Sequence, residues 1–146
     1  MVGVKTVKIF LDASVLVAAS ASVTGASAYV LHLSRQKKIK TFVSPDVIGE
    51  ATKNVNLKLG ETGKHRLKTY LNLAHLVLVD NPKPELVALC ESVIHVKDAP
   101  ILAAALNAKV GILLSLDRKH FFTAKVIDYS KPMKILTPGD WLRSFR

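Results

Sequence analysis

Short apolar, β-rich runs alternate with helix-length segments along this chain, and that alternation constrains the fold more than any other feature. "VKIFL" (7–11), "IKTFVS" (39–44) and "VGILLS" (110–115) read as strands, and "VLVD" (77–80) as a shorter one. "KVID" (125–128) and "MKILT" (133–137) are expected to extend the set by a strand or two. Helical spacing covers 28–38, 62–76 and 84–96. The segment 44–60 carries a start signal, with Ser44 as N-cap, Pro45 next and Asp46 in the first turn, and Gly60 near its end. Segment 98–109 opens on Asp98, a natural N-cap residue, and 137–144 opens on Thr137 and Pro138. "SVTGAS" (22–27) is loop-like, and the Pro-dense "NPKPE" (81–85) reads as a connection. Buried strands joined by helical crossovers imply an α/β domain with a mainly parallel sheet covered on both faces.

The chain's 146 residues suit one domain, 1–146, with no repeat, linker or low-complexity tract. A composition that is 49% hydrophobic and 22% charged excludes disorder. Lys and Arg outnumber Asp and Glu by 21 to 11, which favours a polyanionic partner, nucleic acid before an anionic membrane surface. Cys90 stands alone, so no internal disulfide forms, which fits a cytoplasmic location. Lys5 and Lys8 ahead of apolar residues, with "ASA" at 26–28, imitate a secretory signal. Asp12 inside the apolar region, diluted further by Ser14, Ser20 and Ser22, argues against one, and no apolar run reaches membrane-spanning length.

In parallel sheets, ligands bind beyond the carboxyl ends of the strands. Asp12 follows the first strand, and Asp117 lies just past "VGILLS", so both fall on that edge. Glu50 and Asp98 lie on helices able to pack beside it. Each acid also has an ordinary role open to it: Asp98 as a helix cap, Glu50 as a solvated helix residue, Asp117 as a turn residue, Asp12 as half of an ion pair. Asp12 is the hardest to explain that way, because a carboxylate entering a buried apolar element is costly unless paired or ion-bound. Together, clustered carboxylates repel one another, and a hard divalent cation such as Mg²⁺ or Mn²⁺ relieves that repulsion. Zinc is disfavoured, since no Cys/His cluster has suitable spacing.

"KIFLDASVLVAA" with Asp12, "FVSPDVIGEATKN" with Glu50, "VKDAPILAAAL" with Asp98 and "GILLSLDRKHF" with Asp117 resemble, in this order and spacing, the PIN-domain ribonucleases. The likeness covers nearly the whole chain, down to "KILTPGDWL". It implies a three-layer α/β/α fold and Mg²⁺- or Mn²⁺-dependent hydrolysis of RNA to 5′-phosphate and 3′-hydroxyl ends. By the same resemblance, Asp12, Asp98 and Asp117 are ligands, Glu50 is a ligand through water or orients the nucleophile, and Ser115 matches a Ser/Thr close to the metal site. The chain departs from the pattern at His120, where many members carry another Asp. An imidazole there would weaken the hold on a second ion; it either faces the substrate or is an ordinary exposed loop histidine.

Arg118, Lys119 and His120 follow Asp117 directly and are assigned to substrate binding with Ser115; Lys97, Lys53, Lys58 and "GKHRLK" (63–68) supply further charge. The aromatics Tyr29, Tyr70, Phe121 and Phe122 are read as core, so RNA is expected to be held by its backbone. Many small PIN proteins resemble the VapC type: dimeric toxins kept inactive by an antitoxin protein. The rival readings are a non-catalytic or RNA-processing PIN domain, and a phosphoacceptor regulatory domain. The last usually shows an acidic pair after its first strand, which Leu11 and Ala13 around Asp12 deny.

Overall fold

Ile9, Phe10 and Leu11 are fully buried although neighbouring strand side chains point to opposite faces, so both faces of the first strand are covered. The computed structural model describes residues 6–145; Lys5, part of the signal-like pattern, lies outside them. In chain order the elements are β1 (Lys8–Leu11), α1 (Ala13–Ala21), α2 (Ala26–Arg35), β2 (Lys40–Val43), α3 (Pro45–Lys58), α4 (Glu61–Leu73), β3 (Val77–Leu78), α5 (Pro84–Glu91), α6 (Ala99–Asn107), β4 (Ile112–Leu114), α7 (Arg118–Phe121), α8 (Ala124–Ser130), β5 (Lys134–Leu136) and α9 (Pro138–Ser144).

All strand pairs are parallel, in the order β3-β2-β1-β4-β5. Phe10 aligns with Phe42 of β2 and with Leu113 of β4. The chain steps outward from β1 to β2 and β3, then returns to the other side of β1 for β4 and β5. Right-handed crossovers running in opposite directions put α1–α4 on one face and α5–α8 on the other, while the final helix α9 packs against α2. α1 packs on α2, α3 and α4, and α5 packs on α6. The order differs from the 2-1-3-4-5 of flavodoxin-like regulatory domains. β1 and β4 are adjacent, and their carboxyl ends form the topological switch point.

Two of the expected start signals operate as read. Ser44 accepts from Val47 N and Thr137 from Asp140 N. Three differences stand out. "KVID" is helical, within α8, because Thr123 caps that helix by accepting from Val126 N; a short apolar run has no period to tell strand from helix. α1 begins directly after Asp12 where no helix was expected: "ASVLVAASA" lacks a polar stripe, and its outer face is covered by other helices. Tyr29 is 53% exposed rather than core. It lines a cavity of about 520 Å³ between α2 and α4 that contains no acidic side chain. Phe121 is fully buried, and Tyr70 is half-buried with its hydroxyl donating to Ala19 O. Among the described residues no single helix is long and apolar enough to cross a membrane; α1 and α2 pass only jointly, and the chain bends by 100° between them.

Candidate active site

Three of the four acids occupy helix N-cap positions at the carboxyl edge of the sheet: Asp12 before α1, Asp98 before α6 and Asp117 before α7. The exposed peptide N–H groups there favour negative charge. Only Asp117 uses its carboxylate as a cap, its Oδ1 accepting from His120 N at 3.2 Å. Asp12 and Asp98 make no capping bond, so the ordinary role open to Asp98 is not the one it plays. Their carboxylates turn instead into a pocket of about 310 Å³ whose lining also includes Glu50, Asp117, Asn54 and Lys58.

Asp12 pairs with no Lys or Arg among the described residues. Its Oδ2 accepts from Ser14 Oγ at 2.7 Å and from Ser115 Oγ at 2.8 Å. The same hydroxyls accept in turn: Ser14 Oγ from Leu116 N and Ser115 Oγ from Asp117 N, each at 3.0 Å. Two serines thus tie the end of β1 to the loop after β4, and Asp117 is positioned by the same bonds that orient Asp12. Sequence reasoning passed over Ser14. The signal was there, a Ser two residues after the acid at a strand end, but serine is too common to single out.

Glu50 lies on α3 and is partly buried, with Lys97 Nζ 3.7 Å from its Oε1. Asp98 has an 8% exposed side chain. Its Oδ2 lies 3.2 Å from His120 Nδ1 but has no hydrogen-bond partner among the described residues. His120 Nδ1 instead bonds Asp117 Oδ2 at 2.8 Å. The imidazole therefore sits against the acids rather than on an open loop, with the His95 ring 5.1 Å away, centre to centre. Arg118 and Lys119 are exposed beside the pocket, and the Arg118 guanidinium stands 5.8 Å over the half-buried Phe122 ring. Lys53 lines an adjoining cavity with Glu50, Asn54 and Lys97. In the 63–68 stretch, Arg66 reaches Ser20 O and Ala21 O at the end of α1, which is a structural use.

Burial raises the Asp12, Glu50 and Asp98 carboxyls above their ordinary values. Neighbouring charge adds to this: Asp117 acts on Asp12, Asp12 on Glu50, and Asp117 with Asp12 on Asp98. Each acid therefore holds its proton more tightly folded than unfolded. The destabilisation is complete above the raised values and fades as pH falls toward the ordinary 3.8 of Asp and 4.5 of Glu. The thermal midpoint of chelator-treated protein is expected to rise as pH is lowered toward those ordinary values. Saturating divalent ion should flatten that profile, and differential scanning fluorimetry across the range checks both.

The sheet is that of a parallel α/β domain, and it gathers four carboxylates at its switch point, the edge where such domains bind ligands. Residues 8–119 match the PIN domain, and the chain belongs to the PIN-domain family. Solved structures share the fold. PAE2754 from Pyrobaculum aerophilum superposes with a TM-score of 0.63 at 19% identity, over 94% of this chain and 88% of that one. VapBC2 from Rickettsia felis, bound to a DNA fragment from its promoter, gives 0.61 at 18% identity over 88% and 96%. VapC20 of Mycobacterium tuberculosis, a toxin that cleaves the sarcin-ricin loop, gives 0.55 at 18% identity over 76% and 91%. No curated protein matches the chain.

Proposed function

We propose that this chain is a divalent-metal-dependent endoribonuclease, one domain over residues 1–146, acting as the toxin of a toxin–antitoxin pair. The observation that carries the reading is the convergence of Asp12, Glu50, Asp98 and Asp117 on one pocket, with a buried Asp98 oxygen that has no hydrogen-bond partner among the described residues. Charged oxygens brought so close, one of them unsatisfied, suit an oxygen-seeking ion such as Mg²⁺ or Mn²⁺. When bound, such an ion lowers the pKa of a water and polarises a phosphate.

The chain's own groups do the rest. Asp12, Asp98 and Asp117 hold the ion. Glu50, at the pocket wall beside Lys97, orients the attacking water or accepts its proton. Ser14 and Ser115 fix the Asp12 carboxylate, so it does not reorganise during reaction. Arg118 and Lys119 hold flanking phosphates and offset repulsion between RNA and the acidic pocket. The toxin assignment draws on the VapC and VapBC relatives by fold, and it carries an antitoxin partner, a homodimer and a cytoplasmic setting.

The test is cleavage of a labelled structured RNA by purified protein with Mg²⁺, with Mn²⁺ and with chelator. Ion-dependent cleavage leaving 5′-phosphates is the expected result. RNA binding without cleavage at any ion concentration would make the chain a non-catalytic PIN domain instead.

A further inference from the structure

The geometry points to His120 as a metal ligand: with Asp98 and Asp117 it forms a mixed oxygen–nitrogen centre that favours a first-row transition ion such as Mn²⁺ over Mg²⁺. The inference rests on the proposed metal site and deepens it. One atom from each of the three residues can be chosen so that all lie within 4.8 Å of one another. His120 Nδ1 stands 2.8 Å from Asp117 Oδ2 and 3.2 Å from Asp98 Oδ2. Adjacent ligands on an octahedral ion with bonds of about 2.1 Å are separated by about 3.0 Å. The two contacts made by the imidazole nitrogen therefore already have the spacing of neighbouring ligands in a coordination shell.

The second observation is the orphaned oxygen. Asp98 Oδ2 is buried, lies close to the imidazole and takes no hydrogen bond from it. A buried acceptor left without a partner calls for a ligand. The imidazole can provide a lone pair there by carrying its proton on Nε2, the tautomer that metal-binding histidines adopt according to their surroundings.

The chemical consequence follows from donor type. Carboxylates alone suit Mg²⁺, whereas an imidazole nitrogen favours transition ions. Asp12, held by two serine hydroxyls, lines the same pocket and adds a purely oxygen donor.

The test is spin-echo EPR of the full chain loaded with MnCl₂ alone, paired with calorimetric titrations of Mn²⁺ and Mg²⁺. The expected spectrum shows nitrogen modulation that persists in His95→Ala and vanishes in His120→Ala. Loss of the ligand should weaken Mn²⁺ binding by at least the roughly 10–100-fold that loss of a supporting group costs. His120→Asp should restore affinity while shifting preference toward Mg²⁺, and it also guards against an alanine variant that folds poorly. Mn²⁺ bound without nitrogen modulation, but lost in Asp98→Asn, would overturn histidine ligation and leave a carboxylate site standing. A wild-type chain that binds neither ion would overturn the metal site itself.

Discussion

Replacing Asp12 by Asn is expected to lower RNA cleavage by on the order of 10²-fold or more, the cost of losing one preorganised charge at a reacting centre. The fold should survive. An Asn carbonyl oxygen can still accept from Ser14 Oγ and Ser115 Oγ, so the stitch between β1 and the loop after β4 remains. The ion-free variant should also be more stable than wild type. Asp12 is 4% exposed, and its carboxyl is pushed up mainly by burial, so removing the charge removes a desolvation cost. Each kcal/mol relieved raises the midpoint by roughly 3 °C in a chain of this size. Cleavage at the wild-type rate, after removal of contaminating nucleases, would contradict the active-site assignment. An unchanged or lower ion-free midpoint would contradict the electrostatic account of the pocket.

RNA affinity is expected to fall by about three hundredfold between 50 and 200 mM salt if some six single-strand phosphates are neutralised. A net charge of +10 and exposed cations beside the pocket supply the contacts, while the aromatics near the site offer little stacking surface. Phe121 is buried, and Phe122 is half-buried beneath Arg118. Changing Arg118 and Lys119 together to Ala should flatten the slope of log affinity against log salt by about 1.4, or 0.7 per lost single-strand contact. Fluorescence anisotropy with the cleavage-deficient Asp12→Asn variant measures this without turnover. A salt-independent affinity would show that stacking or shape dominates.

The local signals that proved readable were those whose physics is local. Ser44 followed by Pro45, and Thr137 followed by Pro138, mark helix starts because a hydroxyl and a fixed φ act within one turn. β1 was legible because, past the exposed Lys8, its consecutive residues Ile9–Leu11 are all apolar, as a parallel strand buried on both faces requires. α1 was not: packed against α2, α3 and α4 and lining the pocket with small apolar residues, it carries no polar stripe, and its alanines and valines fit either element. "KVID" failed because Thr123 Oγ1, outside the run, decides it.

By itself the sequence determined the alternating α/β order, the excess of positive charge and the acids after β1 and β4, since these depend on composition and short-range pattern. Only the tertiary structure decided which groups surround those acids. Ser115 reaches Asp12 across 103 positions of sequence, and His120 meets Asp98 because α7 folds back against the start of α6. Such contacts depend on the sheet's strand order, which brings β1 beside β4, and a carboxylate's partners are set by that adjacency rather than by its neighbours in the chain.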